Sequence, residues 1–92
     1  MKVTLTGYIC VPEADLQQVL AALPEHVKLT KAEIGCKHFS VEQRKDDPYV
    51  FDVDEAFVDA EAFRLHQERV AESHWGRVTV NVQRHYQVEG LS

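Results

Sequence analysis

Residues 36–63 read CKHFSVEQRKDDPYVFDVDEAFVDAEAF, and hydrophobicity along them changes period once, from two to about 3.6. From Cys36 to Arg44, Phe39 and Val41 take one face and His38, Ser40 and Glu42 the other, the alternation of a strand. Lys45-Asp46-Asp47-Pro48 is a polar turn suited to a hairpin. Tyr49, Phe51, Val53, Glu55 and Phe57 then alternate with Val50, Asp52, Asp54 and Ala56, which gives the return strand. Glu55 falls on the aromatic face of that strand, where a carboxylate is out of place. Asp59 follows as a helix N-cap, with Val58 and Phe63 at the spacing of a hydrophobic staple. Ala62, Phe63, His66 and Val70 share one face of this helix, so His66 points to the core and not to water.

On the N-terminal side, Val3, Leu5, Gly7 and Ile9 alternate with Thr4, Thr6, Tyr8 and Cys10, predicting a strand over Lys2–Cys10. Pro12 suits the first turn of a helix, and Leu16, Val19, Leu20 and Leu23 carry its apolar stripe. Pro24 predicts a kink or a restart, after which Val27, Leu29, Ala32 and Ile34 continue to a stop at Gly35. On the C-terminal side, the second helix is expected to end before Gly76, with His74 and Trp75 in its last turn. A final strand is expected over Arg77–Val88, with Val78, Val80 and Val82 on one face and Thr79, Asn81, Gln83 and His85 on the other. The order β-α-β-β-α-β predicts an α+β, ferredoxin-like domain: a four-stranded antiparallel sheet under two helical segments. One domain is expected over residues 1–92, with a core over 1–88 and a tail at Glu89–Ser92. The strands read as apolar on both faces, and the helices of one small chain cover only one. The other face is expected to pack on a second protomer in a symmetric homodimer.

With 92 residues, 45% hydrophobic and 27% charged, the composition is globular and not disordered. Ten Lys and Arg against fifteen Asp and Glu leave a net charge of −5, which argues against nucleic acid and anionic membrane partners. The longest apolar run, Val19–Leu23, is far too short to cross a bilayer. Met1–Gly7 lacks the apolar core of a signal peptide, and Cys10 and Cys36 form no C-x-x-C pair. Free thiols in a reducing cytoplasm are therefore expected. A chain this short buries only about 60–65% of its unfolded surface. Extra stability must come from tight packing or from a second copy.

Glycine-rich phosphate loops, a G-x-S-x-G elbow and an H-E-x-x-H zinc motif are all absent. His66 and His74 lie about 12 Å apart along a continuous helix, too far to grip one metal ion unless the helix breaks between them. No metal and no cofactor is predicted. What remains is a group of titratable side chains aimed inward: Glu55, His66 and, near the helix end, His74 beside Trp75. A buried Glu tends to stay protonated and a buried His neutral unless they pair. A Glu–His pair in an apolar cavity is a proton-transfer unit near neutral pH. The plain alternatives are that Glu55 caps a backbone group or joins a structural ion pair and that His66 is a satisfied core histidine. In the same vein, His74 would complement a helix dipole and Trp75 would pack in the core. His38 and His85 take no assigned role.

Ala32-Glu33-Ile34-Gly35-Cys36, Phe39, Asp47-Pro48, Phe51-x-Val53-x-Glu55-x-Phe57-x-Asp59, Ala62-Phe63 and His66 together resemble the antibiotic biosynthesis monooxygenase (ABM) domain. The likeness is close over Glu33–Trp75 and holds in outline for the first and last strands. It implies a dimeric α+β barrel, two sheets face to face, with a pocket between sheet and helices in each protomer. Members of the family include cofactor-free oxygenases of quinols and anthrone-like aromatics, haem-degrading proteins, and enzymes that process small signalling molecules. This chain departs from the family pattern in carrying Phe57 in place of a Trp, and His74-Trp75 in place of a His-Phe. Haem-degrading members rely on an Asn in the first strand; Thr4, Thr6, Gly7 and Tyr8 offer none.

The resemblance implies a cofactor-independent monooxygenase acting with O2 on a small aromatic substrate, a quinol or an anthrone. Deprotonated, such a substrate gives an electron to O2 itself, so the protein needs only an apolar pocket, a base and a hydrogen bond to the developing oxyanion. His66, tuned by Glu55, is the expected base. Phe51, Phe57, Phe63 and Trp75 are the expected walls, and Asn81 or His74 the group that holds a substrate oxygen. Two other readings stay open: an acid–base isomerase of a small metabolite, and a non-catalytic ligand-binding dimeric module.

Overall fold

The computed structural model describes residues 1–91. β1 (Val3–Cys10) runs to Pro12, and a 3₁₀ turn at Glu13–Asp15 leads into α1 (Leu16–Lys31). The hairpin follows as β2 (Cys36–Gln43) and β3 (Val50–Phe57), then come α2 (Ala60–Ala71), α3 (His74–Val78) and β4 (Gln83–Glu89). The sheet is antiparallel throughout, in the order β2-β3-β1-β4, with both helical segments on one face. This is the expected ferredoxin-like arrangement. Among the described residues no helix is long and apolar enough to cross a membrane.

The register shows what the helices cover. Leu5 and Phe39 flank Glu55 from the two neighbouring strands, and Val3 lies opposite Phe57, and Ile9 opposite Phe51. Val3, Leu5, Ile9, Phe51, Val53 and Phe57 are all buried against Val19, Ala22, Phe63 and Trp75. Asp59 caps α2 as expected, its carboxylate accepting the Ala62 N–H at 2.8 Å. The opposite sheet face differs from expectation. Its β1 and β3 positions are Thr4, Thr6, Tyr8, Cys10, Val50, Asp52, Asp54 and Ala56, joined from β4 by His85 and Gln87, so it is mainly polar and not the apolar face expected. Its large side chains are organised around Tyr8, whose ring stacks on His85 at 4.6 Å while the Arg44 guanidinium lies 4.9 Å above it. Arg44 is held there by Asp52 at 2.9 Å.

Two other expectations need correcting, each for a local reason. Pro24 does not restart the helix: α1 runs through it as one element. Pro24 is exposed, so the Leu20 carbonyl that it leaves without an amide can bond water at that surface. Residues 77–82 do not join the last strand. Ser73 accepts the Gly76 N–H at 3.1 Å, and Thr79 closes the turn by donating its hydroxyl to the Trp75 carbonyl at 2.7 Å. These caps convert His74–Val78 into a helix and delay β4 to Gln83. Gly76 therefore sits inside α3, not at the end of α2. A Cβ there would lie 2.2 Å from the Val70 carbonyl oxygen, so this glycine permits α3 to fold back on α2. His74 begins α3 and is not in the last turn of α2. Of the expected tail, Glu89 closes β4 and Ser92 lies outside the described residues.

Gly35 sets how closely α2 approaches the loop before β2. A Cβ at Gly35 would lie 2.3 Å from the Ala62 Cβ, and the Gly35 backbone is already tied to Val58, whose N–H it accepts at 2.8 Å. Gly35→Ala is expected to lower the unfolding free energy by about 1–3 kcal/mol through overpacking. In a urea double-mutant cycle with Ala62→Gly, a positive coupling is expected; additive losses would show that the two sites do not press on each other.

Candidate active site

Glu55 stands in mid-sheet, and only 7% of it is exposed. Opposite it, α2 presents His66, 3% exposed. The two approach through His66 Nε2 and Glu55 Oε1 at 3.7 Å, an ion-pair distance too long for a hydrogen bond. The closer partner of His66 is Glu33, in the loop between α1 and β2. Both Glu33 carboxylate oxygens lie within reach of Nδ1, at 3.1 and 3.0 Å. Arg69, one turn further along α2, donates Nε–H to Glu33 at 2.7 Å and a terminal N–H to the Thr30 hydroxyl at 2.9 Å. The result is a continuous polar row from Thr30 through Arg69, Glu33 and His66 to Glu55.

Charge and burial divide the roles. With the Glu33 carboxylate on Nδ1, that nitrogen carries the hydrogen and Nε2 is left bare, facing Glu55. Burial pushes the His66 pKa below its ordinary value, and the Glu33 hydrogen bond only partly offsets this. Burial, then the charges of Glu33 and Asp54, push Glu55 up to about 7. Near neutral pH the site therefore holds a neutral imidazole beside a carboxyl poised between its two forms. Tyr86 of β4 also senses Glu55. The residue is 38% exposed, yet burial at its hydroxyl and the Glu55 charge push its pKa up to about 12, so it remains a neutral phenol.

Aromatic rings enclose the pair. Phe57 lies 4.9 Å and Phe39 5.9 Å from the His66 ring, and Phe63 backs Phe57 at 5.6 Å. His26, from α1, stacks on Trp75 at 4.4 Å with planes 3° apart and lies 6.3 Å from His66. Its Nδ1 is buried without a hydrogen-bond partner, a condition that costs about 1–3 kcal/mol. A cleft of about 250 Å³ between α1 and α2–α3 is lined by His26, Arg69, His74 and Trp75, among others.

Of the residues expected from sequence, the structure brings together Glu55, His66, Phe57 and Phe63, and it places Trp75 and His74 at the adjoining cleft. Phe51 is fully buried but four residues from Glu55, about 13 Å along β3. Asn81 lies elsewhere, near the end of β1: its amide reaches Asp15 at 3.4 Å, and it lines a separate hollow with Cys10 and Gln83. The helix does break between His66 and His74. Among the described residues no group of three or more His, Cys, Asp or Glu side chains could hold a metal ion. Sequence reasoning missed the roles of Glu33, Arg69, Thr30 and His26. Glu33 is 33 residues from His66, and only its place in the Glu33-Ile34-Gly35-Cys36 stretch marked it.

The family profile for antibiotic biosynthesis monooxygenase matches residues 2–76. The chain belongs to the antibiotic biosynthesis monooxygenase family. The matched span includes Glu33, Glu55 and His66 and stops before β4. Similar solved structures include a Nitrosomonas europaea protein assigned to the antibiotic biosynthesis monooxygenases, 21% identical, with a TM-score of 0.76 over 96% of this chain and 93% of that one. MupZ from Pseudomonas fluorescens is 20% identical, with a TM-score of 0.78 over 97% of this chain and 67% of its own. A conserved Bacteroides thetaiotaomicron protein of unknown function, described as a possible oxidoreductase, is 19% identical, with a TM-score of 0.75 over 96% and 93% of the two chains. At these identities the likeness is one of fold. No curated protein matches the sequence.

Titration of the buried groups pulls stability in opposite directions. The folded pKa of Glu55 lies above the ordinary 4.5, so its contribution is full below that value and is lost as pH rises through about 7. His26 and His66 have lowered values, so theirs is present above 6.5 and lost as pH falls below it. In urea melts from about pH 4.5 to 7.5, wild type is expected to lose roughly 2–3 kcal/mol relative to Glu55→Gln. Parallel pH profiles would show that Glu55 ionises freely in the fold.

Proposed function

We propose that this ABM-family protein is a cofactor-independent monooxygenase that uses O2 to oxidise a small electron-rich aromatic of the quinol or anthrone type. The observation that carries this reading is the buried Glu33–His66–Glu55 row. His66 Nε2 takes a proton from the substrate, and Glu33 holds the opposite N–H and stabilises the imidazolium that forms. Phe39 and Phe57 keep the pair out of bulk water, which strengthens its electrostatics. For an anthrone-type methylene, the carbanion left behind gives one electron to O2, and the two radicals combine as a peroxide. Loss of water then leaves a ketone. One oxygen atom ends in the carbonyl and the other in water, so the methylene supplies all four electrons. In this reading the substrate ring is held from the cleft that His74 and Trp75 line.

The protein is further read as a homodimer joined through the polar sheet face, with Tyr8, His85 and Arg44 at its centre, working in a cytoplasm that keeps Cys10 and Cys36 as free thiols. A second reading has one observation in its favour. A carboxyl poised near 7 beside a neutral imidazole also suits proton shuttling in an isomerase that needs no O2.

The test is oxygen uptake by chelator-treated protein with a panel of quinols and anthrones. Uptake above that of boiled protein is expected, falling roughly a hundredfold or more in His66→Ala. Full activity in that variant would remove His66 as the base. Anaerobic turnover would select the isomerase, and inactivity throughout would favour a binding module.

A further inference from the structure

His26 is the buried titratable group that this acid–base row leaves unused. It lies on the inward stripe of α1 with Val19, Ala22 and Thr30, and only 5% of it is exposed. One face of its ring is covered by Trp75 and Phe39 meets it edge-on at 5.2 Å. Burial, then the nearby His66 and Arg69 charges, push its pKa down to about 3, so it is a neutral imidazole at physiological pH. Buried polar atoms are seldom left unpaired, and a phenylalanine would fill this aromatic slot without the unpaired Nδ1. The residue also lines the cleft of about 250 Å³ between α1 and α2–α3. A cavity of about 150 Å³ holds a benzene, so this one is roomy enough for one or two fused rings.

We propose that this cleft binds a planar hydroxy-aromatic molecule and that His26 recognises its oxygen by donating the Nε2–H while the ring rests beside Trp75. Orphaned N–H groups are rarer in proteins than orphaned acceptors. The enclosed Nδ1 is therefore the bare nitrogen, and the hydrogen sits on Nε2. A neutral donor fits a phenol or phenolate oxygen and needs no counter-ion in the apolar wall. The surrounding polar groups of the cleft are Glu25, Arg69, Ser73, His74 and Arg77. Arg69 is already engaged by Glu33 and Thr30, and Arg77 donates to the Glu72 carbonyl at 3.1 Å. Among the described residues no hydrogen bond engages His26 Nε2, and only Nδ1 is sealed off, so His26 is the buried lining residue with a donor left over. This assignment extends the oxygenase reading, and its test reads binding alone, so the failure of either leaves the other standing.

Trp75 is the only tryptophan of the chain, so its indole N–H resonance reports on the cleft directly. Wild type titrated with 2-naphthol and, separately, with naphthalene is expected to shift that resonance and to bind the naphthol at least about tenfold more tightly, as one gained hydrogen bond allows. His26→Phe is expected to bind the two probes equally while melting at a higher temperature. His26→Gln, which keeps a neutral N–H donor, is expected to retain the preference. If His26→Phe does not fold, His26→Leu carries the same comparison. A naphthol preference that survives in the Phe or Leu variant would reduce His26 to a structural residue. A Trp75 resonance that 2-naphthol leaves unmoved would remove the cleft as the site.

Discussion

The Glu33 carboxylate is the hinge of this structure. It comes from the loop after α1 and is shared by two α2 side chains, accepting from Arg69 at 2.7 Å and from His66 Nδ1 at about 3 Å. A buried charge persists only when it is paired and hydrogen-bonded. Glu33 is largely enclosed, so α2 must present both partners at one height, and Arg69 must also reach Thr30 on α1. Removing one partner from such a group costs about 3–5 kcal/mol when fully buried, and somewhat less here because Arg69 is 31% exposed. The small contact of Gly35 with Ala62 allows the approach, and the ionic contact then fixes the orientation of the His66 ring.

In the proposed reaction, that orientation sets the chemistry of the site. A histidine with Nδ1–H held by a carboxylate has its lone pair on Nε2, and here Nε2 faces a second carboxyl whose own ionisation is resisted by burial and by Glu33. One carboxylate orients and the other tunes. The fold tolerates local costs to keep this arrangement: a carboxyl in mid-sheet, two buried imidazoles below their ordinary pKa and one nitrogen without a partner. Such costs gather where a protein binds or reacts, because a core selected for stability alone would replace them with apolar groups.

Much of this was legible in the chain. The hairpin alternation around Asp47-Pro48 and the cap at Asp59 required two strands and a helix, and Glu55 and His66 stood out because each broke an apolar face. The misreadings have physical causes. Treating Pro24 as a break lost the phase of α1, so His26 and Thr30 did not appear as continuations of the stripe from Val19 and Ala22. Val78, Val80 and Val82 alternate like a strand, but Ser73 and Thr79 cap a short helix over the first of them and leave Val80 exposed. Glu33 binds His66 across 33 residues, a contact that no local period encodes. Tyr8 and Cys10 made β1 look apolar on both sides, whereas the neighbouring strands supply acids and amides there.

The proposed chemistry requires His66 to be a neutral base with its hydrogen on Nδ1. Nitrogen-15 NMR of the histidine side chains reads this directly, because protonated and bare ring nitrogens resonate far apart. At pH 7 His66 is expected to be neutral, with a protonated Nδ1 and a bare Nε2, and Glu33→Gln is expected to move its titration. An imidazolium at that pH, or a hydrogen on Nε2, would contradict the proposed chemistry.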